Sequence, residues 1–160
     1  MGMEPDMGVI KDIFFAAKAC GWSANAKKIK SIEFPGSKII RFTSGDFIVI
    51  DCYAVNPNSD RSAGTTTICY EDEPVWVMHY GGRYAKKAIP FLKSCLQRAY
   101  VQERCFYGGR GPIFVRNENF TYVNKIERGG FDDFAGEEKI FDLSEQCQGN
   151  HWYRGMSLIK

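Results

Sequence analysis

"AGTTTICYEDEPVWVMHYGG", residues 63–82, returns in outline seventy residues later as "AGEEKIFDLSEQCQGNHWYRGM", residues 135–156. Both stretches open on Ala-Gly, carry an isoleucine four residues after that glycine, and pass through a polar turn to a tryptophan, a basic residue and a glycine. Upstream, "GSKIIRFTSGDF" (36–47) aligns without a gap on "GRGPIFVRNENF" (109–120), setting Ile40 on Ile113, Phe42 on Val115 and Phe47 on Phe120. "FAAKACGW" similarly resembles "KSCLQRAY". The chain therefore reads as two halves of one plan, each a helix followed by a meander.

The elements of that plan are legible one by one. In "GVIKDIFFAAKAC", Val9, Ile10, Ile13, Phe14, Ala17 and Cys20 recur at spacings of three and four, predicting a helix that Gly21 stops. After the basic connection "SANAKKIK" the composition turns to strands: "SKIIRF", "DFIVIDCYAV", "TTTICY" and "PVWVMHY", split by turn-rich segments. A second helix is expected in "AKKAIPFLKSCLQRAY", starting regularly near Ala88 or Ile89 because Pro90 fits only a first turn. Strands follow in "GPIFVR", "NFTYVNKIE", "EKIFDL" and "HWYRGMSLI".

The expected fold class is α+β: two α-plus-antiparallel-meander repeats forming a mostly antiparallel sheet, with the helices packed on one face. Residues 8–160 form one domain, with a pseudo-repeat at about 8–83 and 84–160, after a flexible start over 1–7.

Length and composition narrow the function. A chain of 160 residues buries enough surface to fold without a staple. A net charge of +2 does not mark a nucleic-acid binder, which needs clustered phosphate contacts. The six cysteines are scattered and form no C-x-x-C pair, and no signal peptide precedes them, so they read as buried thiols of a cytoplasmic protein. No apolar run reaches the length needed to cross a bilayer.

"FPGS" (34–37), "GDFIVIDCY" (45–53), "EPVWVMHYGGR" (73–83), "GRGP" (109–112), "FTYVNKIERGGFDDFAGEEKI" (120–140) and the final "LI" (158–159) together resemble an uncharacterised bacterial family of unknown function. Its members occur alone or C-terminal to XRE-type helix-turn-helix regulators. The resemblance runs from about residue 10 to the end and implies a sensory or interaction domain. The chain departs from it at Gly64-Thr65-Thr66-Thr67, where acidic residues are usual, and at Arg154-Gly155-Met156, where His-Gly-Gly is common.

Several side chains are candidates for a site. Strand alternation puts Trp76, Met78 and Tyr80 on one face and Val75, Val77 and His79 on the other, and groups Phe120, Tyr122, Asn124 and Ile126. An aromatic face with polar tips suits a ligand groove, and equally a core under the helices. Tyr53, Trp76, Tyr80, Tyr122 and Trp152 are the aromatic candidates. Arg83 and Arg110, each beside flexible glycines, are candidates for binding a carboxylate or phosphate, although both stretches also read as turns. Glu137 and Glu138 must point to opposite faces, so one can enter a pocket, and Glu137 joins the ligand-binding candidates.

Asp132 and Asp133 lack the spacing of a calcium loop, and His79 and His151 alone make no zinc site. No metal and no cofactor is expected, and no catalytic residue is assigned. The expected function is non-catalytic: a small-molecule-binding or regulatory interaction domain. The alternatives are an enzyme using acidic residues or His79 in the groove, and a nucleic-acid-binding protein. The expected partners are a small-molecule ligand or a regulatory protein, without membrane or direct nucleic-acid contact, for a monomer or homodimer.

Overall fold

A computed structural model describes residues 4–159. The flexible start expected over residues 1–7 lies outside the described residues for 1–3. Asp6 already caps a helix, its side chain accepting from the Gly8 backbone N–H at 2.7 Å. That helix, α1, spans Met7–Ala19 and buries Ile10, Phe14, Phe15 and Ala17. Within the basic connection a two-residue strand β1 (Ile29–Lys30) leads to the meander β2 (Ser37–Ser44), β3 (Phe47–Val55), β4 (Arg61–Tyr70) and β5 (Glu73–Tyr84).

Helix α2 spans Ile89–Gln97, with Pro90 in its first turn, and loosens into a π-helical turn over Arg98–Gln102. The chain closes with β6 (Phe114–Arg116), β7 (Phe120–Gly129), β8 (Asp133–Asp142) and β9 (Cys147–Ser157).

All nine strands form one antiparallel sheet in the order β1-β2-β3-β4-β5-β9-β8-β7-β6. The last strands of the two meanders meet at its centre, where Tyr80 stands opposite Tyr153. Several strands are longer than the sequence pattern suggests. β4 begins at Arg61, inside a segment read as loop, and β5 runs through Gly81-Gly82-Arg83, read as a turn. Pairing accounts for both: Arg61 lies opposite Arg83 and Gly82 opposite His151, so neighbouring backbones hold these glycines extended. β8 likewise begins at Asp133, which places Glu137 and Glu138 in mid-strand instead of at its start.

One aromatic core joins the elements. The Phe14 ring meets Trp76 at 5.2 Å edge-on, and Trp76 stacks between Phe131 and Phe134 at 5.0 and 5.3 Å. Phe91 of α2 stacks on Phe120 at 5.6 Å. Gly155 makes the central packing feasible, because a Cβ there would strike the Phe134 ring and the Val77 carbonyl. The six cysteines are free; Cys95 is buried, whereas Cys20 and Cys147 are exposed, contrary to the expectation of uniformly buried thiols. Among the described residues no helix is long and apolar enough to cross a membrane.

Trp76 is fully buried and donates its indole N–H to the Phe131 carbonyl at 2.8 Å. Trp76→Ala is therefore expected to cost about 3–5 kcal/mol in urea unfolding, from lost area, the cavity and an orphaned carbonyl. Trp152→Ala, at a half-exposed ring, should cost roughly 1 kcal/mol or less.

Candidate functional site

A cavity of about 750 Å³ opens between the first meander and the helices. Its sheet wall comes from alternate residues of β2 and β3, among them Ile40, Phe42, Val49, Asp51, Tyr53 and Val55. β5 adds Tyr80 and Tyr84, and the central strand β9 adds His151. The helical side supplies Ala17 and Lys18 from α1, Ile89, Lys93 and Leu96 from α2, and Trp22 and Tyr100 from the segments that follow them. The period-two geometry of strands explains why the strand side chains converge: one pleat face of the sheet supplies them.

A chain of polar contacts runs along the wall. Lys18 Nζ donates to Thr66 Oγ1 at 2.9 Å, and Thr66 Oγ1 donates to Asp51 Oδ1 at 3.2 Å. Tyr80 donates its hydroxyl to the same carboxylate oxygen. Desolvation lowers the Lys18 pKa and outweighs the attraction of Asp51, with Arg110 adding to the fall. Burial, then Asp51, pushes the Tyr53 hydroxyl up to about 12, and the same two causes raise Tyr80 further.

Behind the cavity lies a closed network. Glu138, fully buried on β8, accepts from Arg110 Nε at 2.6 Å and from Tyr122 at 2.5 Å, and from the Tyr84 hydroxyl. The Gly111 N–H donates to the Tyr122 oxygen at 3.1 Å, which ties the "GRGP" loop to β7. Asn124 holds the same loop, donating to the Gly111 carbonyl at 2.9 Å while accepting from Tyr153 at 2.6 Å. Burial opposes the Arg110 charge, yet the Glu138 carboxylate overrides it and holds the guanidinium above its ordinary value.

His151 stands apart from both networks. It is only 2% exposed, its ring lies 4.8 Å from that of Tyr84 and 5.8 Å from that of Tyr80, and neither ring nitrogen has a hydrogen-bond partner among the described residues. Desolvation, reinforced by Arg110, lowers its pKa from 6.5 to about 2. The imidazole is neutral at physiological pH, so it carries one donor and one acceptor.

The residues singled out from sequence separate into three places. Tyr53, Tyr80 and Arg110 come together at the cavity. Trp76 is in the aromatic core, and Tyr122 is sealed in the Glu138 network. Arg83, Glu137 and Trp152 are elsewhere: Arg83 pairs with Asp60 at 3.1 Å, Glu137 lies 3.6 Å from Lys139 Nζ, and Trp152 is half exposed. His79 is exposed, its Nδ1 2.9 Å from Thr65 Oγ1, and it does not line the cavity. His151 is the cavity histidine. Its place was hidden by "HWYR", which puts aromatic residues at both parities of the strand. Lys18, Thr66, Tyr84 and Tyr100 gave no sequence signal beyond ordinary helix and strand composition.

Fold and site define an α+β protein with a polar-floored cavity beneath its helices. The chain belongs to the family described as "Domain of unknown function (DUF5680)", whose match covers residues 57–156. Arg110, Glu138 and His151 lie within that span, whereas Lys18 and Asp51 precede it. No curated protein and no solved structure matches the chain.

Two tests address this electrostatic design. Glu138→Leu strands the buried Arg110 charge and should cost about 3–5 kcal/mol in urea unfolding, whereas Glu138→Leu with Arg110→Met should recover much of that loss. Because His151 takes up a proton more readily when unfolded, its contribution is full above about pH 6.5 and is lost as pH falls toward 2. Stability at pH 5 should thus fall relative to pH 7 by roughly 1–2 kcal/mol from this group, and the slope should flatten in His151→Leu.

Proposed function

We propose that this chain is a non-catalytic domain that binds a small molecule in the cavity, in a regulatory context. The observation that carries the reading is the cavity itself, in which the polar side chains of Asp51, Thr66, Tyr80 and Arg110 converge within an otherwise apolar wall. The volume also falls in the range of small-molecule sites, and apolar walls with a few convergent polar groups are their usual chemistry. The regulatory part rests on the resemblance to domains that follow helix-turn-helix segments.

The same reading treats the two meanders as copies of one unit. In the first, Tyr80 donates to Asp51; in the second, Tyr153 donates to Asn124, and the gapless alignment of Phe47 on Phe120 sets Asp51 on Asn124. Thr66 and Glu138 each lie two residues after the Gly of an Ala-Gly pair. One copy keeps its polar floor open to a cavity, while the other is plugged by Arg110. A second reading, an enzyme, draws on the Lys18–Thr66–Asp51–Tyr80 chain, which has the makings of a proton path. It does not run through His79, which lies off the cavity.

Native mass spectrometry of the purified chain, before and after exposure to a cell metabolite extract, separates the readings. A discrete bound mass is expected, and it should disappear in Ile89→Trp, which fills the cavity from the α2 side. Altered metabolites without an adduct would favour the enzyme, and an inert extract with no adduct would remove both.

A further inference from the structure

The cavity floor is unequal in its hydrogen-bonding groups, and the inequality indicates what kind of molecule it takes. Arg110 gives its Nε to Glu138 and shares a hydrogen bond with the Tyr84 hydroxyl; among the described residues no other protein acceptor takes its terminal amino groups. Those groups belong to a side chain almost wholly buried, whose guanidinium carbon lies 5.7 Å from the Tyr80 ring. The hydroxyls of Tyr53 and Tyr100 likewise have no hydrogen-bond partner among the described residues, and Lys18 uses one of its three ammonium protons on Thr66.

Against this surplus of donors stand few acceptors. Asp51 already receives Tyr80 and Thr66 on one oxygen, and Glu138 is enclosed by Arg110, Tyr84 and Tyr122. His151 adds neither donor nor acceptor to the cavity, because both of its ring nitrogens are shut off from solvent. Charge around the opening has the same sign: Lys28, Lys38, Lys86 and Lys93 line it, while the carboxylate of Asp60 is engaged by Arg83. Spare donors on the floor and lysines around it suit an acceptor-rich anion, which a fork-shaped guanidinium binds through two N–H groups at once. The rest of the wall, Ile40, Phe42, Val49, Ile89 and Leu96 with the Trp22 ring, suits an apolar body.

We propose that the cavity binds an organic acid, its carboxylate held by the terminal amino groups of Arg110, and its apolar body lying along the β2–β3 wall toward Trp22. This rests on the small-molecule reading above and narrows it to one ligand class. The arrangement also gives Glu138 a positioning role, since its grip on Nε leaves the far edge of the guanidinium facing the cavity.

Isothermal titration calorimetry of the full chain with three matched probes, 2-naphthoate, 2-naphthamide and 2-naphthylmethylammonium, tests the assignment. The acid is expected to bind tighter than the amide by roughly tenfold or more, the equivalent of one charge-assisted hydrogen bond, and the ammonium weakest. The paired substitution Arg110→Gln with Glu138→Gln, which removes charge and counter-charge together, should bring acid and amide level. Equal affinities in the wild-type protein, or preference for the ammonium, would overturn the anion assignment and leave the small-molecule reading standing, as would an acid preference that survives the paired substitution. Binding of none of the three by a folded protein, together with no adduct from the extract, would overturn both.

Discussion

Everything at the centre of this molecule is arranged around the ion pair of Arg110 and Glu138. A carboxylate in mid-strand, on the face that packs inward, would be untenable without a full set of donors, because an isolated charge in a protein interior costs several kcal/mol. Glu138 receives those donors from three directions: Arg110 from the loop after α2, Tyr84 from the end of β5, and Tyr122 from β7. Each partner comes from a different segment, so satisfying one carboxylate fixes the loop, the central strand and the second meander relative to one another. Such a network is sensitive to the loss of any member, which is why it specifies one arrangement of the core.

Two unlike interiors result from one sheet. On the side of Trp76, Phe131, Phe134 and Phe14 the space is filled by rings in stacked and edge-on contact. Toward β2 and β3, the side chains are shorter or polar, and the helices span the gap without filling it. Tyr80, Tyr84 and His151 stand at the boundary, the two tyrosines turning their hydroxyls to the polar networks and His151 keeping both nitrogens sealed against the tyrosine rings. That boundary is where a buried group loses water without gaining a protein partner, and His151 is the clearest instance.

Particular residues show how far the sequence carries. Alternation in "PVWVMHY" correctly groups Trp76, Met78 and Tyr80 on one face, all three of them buried, since the 2.0 period of a strand is a local property. The opposition of Glu137 and Glu138 follows from the same rule, but which of the two turns inward does not. Glu138 won that place because Arg110, twenty-eight residues away, delivers a compensating charge. Similar reasoning applies to Trp76 and Trp152. Both open a tryptophan, basic residue, glycine order, yet Trp76 shares the face of Tyr80 and packs on Phe131 and Phe134, whereas Trp152 adjoins Tyr153, points to the opposite face and is half exposed.

What the sequence determined by itself is the order of elements and their strand-rich, antiparallel character, because hydrophobic period, turn residues and the position of Pro90 act within a few residues of chain. The cavity belongs to the tertiary structure. Lys18, Asp51, Tyr100, Arg110 and His151 come from five separate elements and meet only when β5 pairs with β9 and the helices cover the first meander. Whether an aromatic strand face becomes packed core or ligand wall depends on the volume the opposing helix supplies, and no local pattern encodes that distance.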